Sequence, residues 1–317
     1  MQFTADDKYE QALLSTLVYI QTHLETDVSL EVLAERIGFS AYHFHRIFTE
    51  FVGEPVKTYV RRLRLERSAY RLKISQDAIL QIALDAGFKS HETFTRAFAG
   101  RFGMNPSTFR QYFLQATHER KRRIPASVVN YQAFVNESGF PPNQAAAIQV
   151  RFERVRPVLV AFIRHTGPYD NVLEPGSQVD SLWKAIFHWG EIHNLTNADS
   201  LLIGIPQDDP SVTAPEKLRF DVGVQVPEFR EPTGNIGCQT LSPGLYMVGR
   251  HYGSFNHLAE TYAYIYDTYI LTGQYQLRAA PPFEVYNHTR VNDDLHIHYT
   301  DVYMPLESIR RNDQGDE

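Results

Sequence analysis

One segment in the first third of the chain recurs about 50 residues later, and this duplication restricts the possible folds more than any other feature. Each copy has a glycine followed by phenylalanine, then a Phe-x-Arg-x-Phe pattern, a second glycine and a proline. The first copy starts at Gly38 and the second at Gly87. Matched positions in the same order over such a length indicate that one supersecondary unit is used twice.

Both copies have the pattern of two short helices joined by a tight turn. In the first copy, an apolar stripe at helical spacing ends at Gly38, which suits the left-handed backbone at a helix end, and Ser40 can cap the next helix. Gly87 and Ser90 have the same roles in the second copy. Two helices in this arrangement are typical of a helix-turn-helix unit that binds DNA. Between the copies, residues 56–73 contain no helix breaker and are predicted to form one long helix that fixes the two units relative to each other.

A second internal repeat, with an offset of 86 residues, lies in the other half of the chain. Arg164-His165 recurs there as Arg250-His251, in each case followed by a glycine and an aromatic residue. Each copy then enters a helix rich in aromatic residues and closes with a strand that ends in proline. The pattern predicts an α+β domain made of two related halves, each a strand, a helix and two further strands.

Charge is divided unevenly along the 317 residues, a length that suffices for about two domains. Residues 1–123 carry 18 Lys and Arg against 14 Asp and Glu, a net charge of +4, whereas the rest carry 13 against 23, a net charge of −10. This asymmetry favours a first part that faces a polyanion, with chance as the alternative. The single cysteine excludes an internal disulfide framework, and neither a membrane-spanning run nor a secretory signal is evident, so we expect a cytoplasmic protein.

These observations predict a multidomain protein, in which an all-α double helix-turn-helix domain is followed by the α+β domain. The predicted divisions are the helical domain (1–113), a linker (114–150), the α+β domain (151–308) and a tail (309–317). A basic run at residues 120–123 falls in the linker, where it either contacts phosphates or is a solvated charge run.

The duplicated helical segment resembles the DNA-binding domain of AraC/XylS-type transcription regulators over residues 8–113. The matching motifs are Gly38-Phe39-Ser40, Phe44-x-Arg46-x-Phe48, Ile82-Ala83, Gly87-Phe88 and Phe94-x-Arg96-x-Phe98. Residues 150–307 resemble a GyrI-type effector-binding domain in the repeated glycine turn and in the runs Pro282-Phe283-Glu284-Val285-Tyr286 and Asp301-Val302-Tyr303-Met304-Pro305. The same domain order is seen in Rob-like regulators, so the resemblance implies a DNA-binding regulator that senses a small molecule.

The second helix of each helix-turn-helix unit is expected to lie in the major groove, with its N-terminal residues at the base edges. Arg46 and Arg96 occupy equivalent positions, and arginine pairs bidentately with guanine; the alternative is a surface ion pair within each helix. Tyr42 is predicted to pack on a thymine methyl group, and Glu92 either accepts from a cytosine amino group or makes a charge contact with its own helix terminus. The other positions predicted to face the DNA are Ala41, His45, His91 and Thr95.

One carboxylate in the second half, Glu284, lies inside an apolar and aromatic strand. A buried carboxylate is unfavourable unless something pairs with it, and aromatic walls around one carboxylate suit an apolar cation. The GyrI-type resemblance implies that Glu284 faces the ligand. The alternative is that the aromatic residues are core and that Glu284 pairs with Arg278 or Arg290. The aromatic residues predicted to line the effector site are Tyr169, Trp183, Trp189, Tyr252, Tyr266 and Tyr286, and Tyr262 is a further aromatic residue near the predicted centre of this domain.

Motifs for covalent catalysis, phosphate binding by a glycine loop or zinc hydrolysis are missing from the sequence, so we expect no cofactor, no metal and no enzyme. The histidine pairs His251 with His257 and His296 with His298 lack an evident third ligand. The predicted partners are double-stranded DNA and a lipophilic, cationic effector, as in multidrug or stress sensing. Two alternatives remain for the second domain: a hydrolase of small molecules, or a protein-binding module that contacts a partner such as RNA polymerase.

Overall fold

The computed structural model describes residues 5–123, 148–169, 177–197, 200–229, 234–252, 258–270, 275–291 and 294–307, without the side chains at 5–8, 116–123 and 288–298. Most of the predicted linker, the side chains of its basic run and the whole predicted tail lie outside these residues. Among the helices described, none combines the length and the apolar character that crossing a membrane requires.

The first part of the chain contains helices and turns, with no strand among its described residues. Its elements are α1 (Ala5–Thr22), α2 (Leu30–Arg36), α3 (Ala41–Val52), α4 (Val56–Ile74), α5 (Ile79–Asp85), α6 (His91–Phe102) and α7 (Pro106–Arg123). The pairs α2–α3 and α5–α6 are the two predicted helix-turn-helix units, and α4 is the predicted long helix between them. The last helix, α7, continues past the predicted domain end at residue 113.

The turn inside each unit has the predicted glycine and serine geometry. Gly38 and Gly87 adopt left-handed backbones, with φ of 72° and 74°, which a side chain would strain. Ser40 follows Gly38 by two residues, and Ser90 follows Gly87 by three. Each serine caps the next helix by accepting a hydrogen bond from a backbone N–H at 3.2 Å. The prediction of two glycine-turn units is therefore confirmed in detail.

Helix α4 holds the two units together because it contributes to both hydrophobic cores. Its N-terminal half packs against the first unit through Tyr59 and Leu63, around the fully buried Phe44. Its C-terminal half packs against the second unit through Leu72, around the fully buried Phe94. Since both cores share one continuous helix, the two units cannot rotate independently without disturbing a packed core.

In its described residues, the second part of the chain forms one eight-stranded antiparallel sheet with two α-helices and a short 3-10 helix, Pro215–Lys217. Its elements are β1 (Val150–Val155), β2 (Val158–Thr166), α8 (Gln178–Ile192), β3 (Leu202–Pro206), β4 (Arg219–Gln225), β5 (Ile236–Leu241), β6 (Gly244–His251), α9 (Leu258–Ile265), β7 (Phe283–Val291) and β8 (Asp294–Pro305). A π-helical turn, Tyr266–Ile270, continues α9.

The sheet order, β1-β6-β8-β7-β3-β4-β2-β5, is unchanged when the two halves of the domain are exchanged. The prediction of two related halves is confirmed, and each half has one further strand, β1 or β5, which pairs with the opposite half. Equivalent ion pairs lie in the two halves: Arg164 with Asp221, and Arg250 with Asp301. The pseudo-twofold axis passes between the central strands β3 and β7.

Both helices of this domain cover the same face of the sheet. Trp183 and Ile186 of α8 pack on strands β2 to β4, and Leu258 and Ile265 of α9 pack on β6 and β8. Directly paired residues of neighbouring strands point to the same side, so the centre of this face lies between the two helices. Glu284 occupies that position on β7, paired with Gly204 on β3.

Candidate functional sites

The second helices of the two units, α3 and α6, each turn an aromatic face inward and a polar face outward. Phe44 and Phe94 are fully buried, whereas Arg46 and Arg96, two positions further on, are exposed. Neither arginine forms an ion pair with any residue that the structure describes, so the alternative of a surface pair within each helix is not realised. Both guanidinium groups are available to a partner outside the protein.

The remaining residues predicted to read DNA differ in their surroundings. Tyr42 is the most exposed large hydrophobic side chain among the described residues, at 83% exposure. Glu92 is exposed, and the pKa of its carboxyl is lowered because it accepts hydrogen bonds from its own backbone N–H and from Ser90. That contact corresponds to the predicted alternative, a charge contact at the start of its own helix. His45 and His91 are exposed, while Ala41 and Thr95 are half-buried.

Several arginines of the long helix α4 are used inside the helical domain. Arg62 donates to Glu54 at 2.9 Å and to Glu66 at 3.0 Å, and all three side chains are largely buried. Arg71 pairs with Asp77 and Asp85, which lie just before and at the end of α5. These ion pairs fasten α4 to both units, and the arginines in them are not free to bind phosphate.

The carboxylate of Glu284 is almost fully buried, at 4% exposure. One of its oxygens accepts from the Tyr262 hydroxyl at 2.9 Å, and the other accepts from the Tyr286 hydroxyl. Burial raises the pKa of Glu284 to about 7, and the two tyrosine hydrogen bonds oppose this rise only in part. The site therefore holds a carboxyl group that changes its charge near neutral pH.

No cation among the described residues neutralises Glu284. Arg278, one of the two predicted alternative partners, instead donates to the Pro243 carbonyl at 2.6 Å and to the Tyr246 hydroxyl at 3.1 Å. The side chain of Arg290, the other alternative, lies outside the described residues. The acid is thus held by neutral tyrosine hydroxyls in the part of the chain that the structure describes.

Three of the predicted effector-site residues lie together at the centre of the covered face. Glu284 and Tyr286 are two positions apart on β7 and so share a face, and the Trp183 ring meets the Tyr286 ring edge-on, with centroids 5.3 Å apart. Tyr262 of α9 completes the group. Its sequence signal is membership of the group of aromatic residues near the predicted centre of the domain, but it is not among the predicted effector-site residues.

The other predicted aromatic residues lie around this group or away from it. Tyr169 donates to the Arg219 carbonyl at 2.8 Å, and Tyr266 donates to the Lys73 carbonyl of α4 at 2.7 Å. The Trp189 ring contacts the His193 ring and packs against the hydrophobic cluster that contains Trp183 and Tyr286, and the Tyr252 ring contacts the Tyr299 ring. The described contacts therefore bring Trp183, Tyr286 and Glu284 together, with Trp189 packed against the same cluster.

Gly204 makes room for this arrangement on the neighbouring strand. A β-carbon there would lie 2.5 Å from the Tyr286 hydroxyl oxygen and 2.6 Å from the Phe220 ring, and both rings are buried. By strand register, Gly204 is the symmetry equivalent of Glu284, because each pairs with the residue after the aspartate of its own half. The two equivalent positions lie side by side at the pseudo-twofold axis.

Replacing Gly204 with alanine is expected to destabilise the protein by about 1–3 kcal/mol, because neither buried ring can yield without leaving its packed position. The Tyr286 hydroxyl would also move away from Glu284. Urea unfolding measures the free-energy change, and Gly100→Ala is the matched control, since a β-carbon at Gly100 meets nothing within 4 Å. Equal stability of the two variants would contradict the close approach described here.

No group of three or more His, Cys, Asp or Glu side chains in the described residues is placed to hold a metal ion. His251 binds the Thr261 hydroxyl through Nδ1 at 2.8 Å. The side chains of His257, His296 and His298, which the sequence offered as further members of metal pairs, lie outside the described residues.

Comparison with known families divides the chain in the same order. A family model described as a GyrI-like small molecule binding domain matches residues 148–307, about half of the chain, and one described as a helix-turn-helix domain matches residues 33–112. YbfP of Bacillus subtilis, named as an uncharacterized HTH-type transcriptional regulator, is 36% identical over 113 residues, which are 36% of this chain and 38% of that protein.

Two further relatives match the same helical part. The Right origin-binding protein of Escherichia coli K12 is 37% identical over 95 residues, covering 30% of this chain and 33% of that protein. The Multiple antibiotic resistance protein MarA of Salmonella typhimurium is 36% identical over 117 residues, covering 37% of this chain and 91% of that protein. The match thus spans about a third of the length of YbfP and the Right origin-binding protein, and nearly all of MarA. The chain belongs to the AraC-type helix-turn-helix regulators, and its second half belongs to the GyrI-like small molecule binding domains.

Proposed function

We propose that the protein is a cytoplasmic transcription regulator that binds DNA through α3 and α6 and changes its DNA binding when a lipophilic cation occupies the site at Glu284. The observation that carries the proposal is a buried carboxylate held only by tyrosine hydroxyls in the described part of the chain. A buried acid without a cationic partner is rare in structures, and a positively charged ligand would supply the cationic partner that the described residues do not.

The DNA-binding part of the proposal depends on the outward faces of α3 and α6. Each unit exposes an unpaired arginine at the equivalent position, and α4 holds the two units at a fixed separation. Two such helices fit successive major grooves on one side of a duplex, roughly 34 Å apart. A single chain would then bind an asymmetric sequence, since the two recognition helices differ in their side chains.

The ligand's chemistry follows from the residues around Glu284. The faces and edges of Tyr262, Tyr286 and Trp183 supply an aromatic surface, which attracts cations, and the acid supplies the opposite charge. A strongly hydrated metal ion or ammonium would lose too much hydration in such an environment. A delocalised organic cation loses less, so it is the class of ligand that this site favours.

Tetraphenylphosphonium is a suitable probe because tetraphenylborate has the same shape and the opposite charge. We expect the cation to change the fluorescence of Trp183 on binding, the borate to bind at least tenfold more weakly, and Glu284→Gln to remove most of the cation's affinity. Equal binding of the two ions, or an unchanged affinity in Glu284→Gln, would refute the effector part of the proposal. A ligand that is consumed on incubation with the protein would favour the hydrolase alternative.

A further inference from the structure

The GyrI-like domain touches the DNA-binding domain near both ends of α4. The segment that joins β3 to β4, residues 207–218, supplies contacts to the last turn of this helix. Near the start of α4, the Arg219 guanidinium that follows this segment donates to the Tyr59 hydroxyl at 3.1 Å. At its other end, the Lys73 ammonium pairs with Asp209 and donates to the Ser211 hydroxyl at 2.6 Å. The contact is built from buried or half-buried charges, so it is specific in register.

Two elements of the effector site converge on Lys73. The first is the β3–β4 segment just described, which begins three residues after Gly204, the residue paired with Glu284. The second is α9, where Tyr262 donates to Glu284 and, one turn later, Tyr266 donates to the Lys73 carbonyl at 2.7 Å. The side chain and the backbone of one α4 residue are therefore each bonded to a different part of the effector domain.

Tyr70 lies one turn before Lys73 on the same helix and packs into the effector domain. Together with Ile74 it joins the hydrophobic cluster that Leu258 and Ile265 of α9 form on the sheet. Tyr262 packs against the same cluster, and burial, with smaller contributions from Asp209 and Tyr266, raises the pKa of Tyr70. Tyr70 of α4 and Tyr262, whose hydroxyl binds Glu284, therefore pack against one hydrophobic cluster.

We propose that Tyr70 of α4 forms one wall of the effector site, so that a ligand bound at Glu284 presses on the helix that joins the two DNA-binding units. The inference rests on the proposed function, since it takes the Glu284 site as the ligand's position. Glu284 is too buried to receive a cation while both tyrosine hydroxyls remain bonded to it. Entry of a ligand displaces Tyr262, which lies on helix α9, whereas Tyr286 lies on a strand of the sheet. Because Tyr266 lies one turn after Tyr262 and donates to the Lys73 carbonyl, the displacement also moves Lys73.

The second helix-turn-helix unit is the part most directly affected. Lys73 is next to the last residue of α4, and Arg71 beside it pairs with Asp77 and Asp85 around α5. A shift of this end of α4 changes the position of α6 relative to α3, and therefore the fit to two successive grooves. The ligand's effect is expected on DNA affinity and on the preferred spacing of the two half-sites.

The test uses the full chain, tetraphenylphosphonium, and a duplex that the protein itself selects from random sequence. We expect saturating tetraphenylphosphonium to change the Kd for this duplex about 5-fold or more, and the duplex to change the Kd for the cation by the same factor. Tyr70→Ala is expected to weaken cation binding about 2- to 30-fold, as loss of an aromatic wall does. Lys73→Met is expected to leave cation affinity within about twofold and to reduce the coupling below twofold.

Lys184→Met is the matched control, because Lys184 pairs with Asp180 on the exposed side of α8, away from α4. DNA affinity without the cation shows whether each variant folds. The inference is overturned if the cation binds through Glu284 but leaves DNA affinity unchanged, or if Tyr70→Ala binds the cation as the unaltered protein does. If the cation does not bind, or binds equally to Glu284→Gln, the proposed function itself fails.

Discussion

Replacing Arg46 and Arg96 together with alanine is expected to remove sequence-specific DNA binding while the protein stays folded. A bidentate arginine contact with guanine contributes about 1–3 kcal/mol of discrimination, so the pair should contribute about 2–6 kcal/mol if the two grooves are read independently. Both side chains are exposed and unpaired in the described structure, so their loss leaves no buried charge behind. Fluorescence anisotropy on a selected duplex and on a scrambled one measures the change.

The matched control for this prediction is Arg154→Ala, which removes one exposed positive charge from the edge strand β1 of the effector domain. It should leave specific binding within about twofold, because an isolated surface charge far from the duplex acts only through a screened field. Each single DNA-face variant should lose specificity at different base pairs. Specific binding that survives the double replacement would mean that other side chains read the sequence.

The affinity for tetraphenylphosphonium is expected to rise about tenfold between pH 6 and pH 8 and to level off above that range. Only the ionised form of Glu284 attracts a cation, and burial raises its pKa to about 7. Below this pH, a proton must leave before the cation binds, so the apparent affinity falls as the pH falls. Titrations by tryptophan fluorescence at half-unit steps of pH give the profile.

The raised pKa of Glu284 makes the free energy of unfolding fall with pH, whereas it makes the affinity for the cation rise. Because folding raises the pKa of Glu284 above its ordinary value of 4.5, the folded state binds this proton more tightly, and the group's contribution to stability falls as the pH rises from about 4.5 to 7. A bound cation should offset that loss of stability.

Glu284→Gln is the control for the pH profile of cation affinity, and this variant should show a flat profile between pH 6 and pH 8. A profile that keeps its slope in this variant would assign the titration to another group.

The helix-turn-helix units could be predicted from sequence because local rules determine them. Gly38 and Gly87 end helices in a conformation that other residues avoid, and Ser40 and Ser90 cap the helices that follow. These signals lie within a few residues of each other and occur twice. The roles of the α4 arginines were not predictable in this way, since Arg62 and Arg71 are distinguished from their neighbours only by acids that tertiary structure brings near.

In the candidate effector site, a specific sequence pattern indicated only the central acid, whereas Trp183 and Tyr286 were indicated by composition alone. The sequence indicated Glu284 by its apolar neighbours, but its partner Tyr262 lies 22 residues away along the chain, on a different element. The need for Gly204 depends on strand register across the pseudo-twofold axis, which no local pattern encodes. Trp189 and Tyr252 satisfy the same compositional argument as Trp183 and Tyr286, but only Trp183 has a ring contact with Tyr286 in the described structure, and this contact depends on tertiary packing.

The pseudo-twofold axis also limits how the domain can respond. A duplicated architecture could offer two receptor sites and thus a steep, threshold-like dose response. Here the counterpart of the acid is a glycine in van der Waals reach of the acid's own tyrosine partner, so the second receptor position is used up in building the first. If the ligand binds at Glu284 as proposed, each polypeptide binds one molecule there, and a steep response requires contributions from the DNA or from association of several polypeptides.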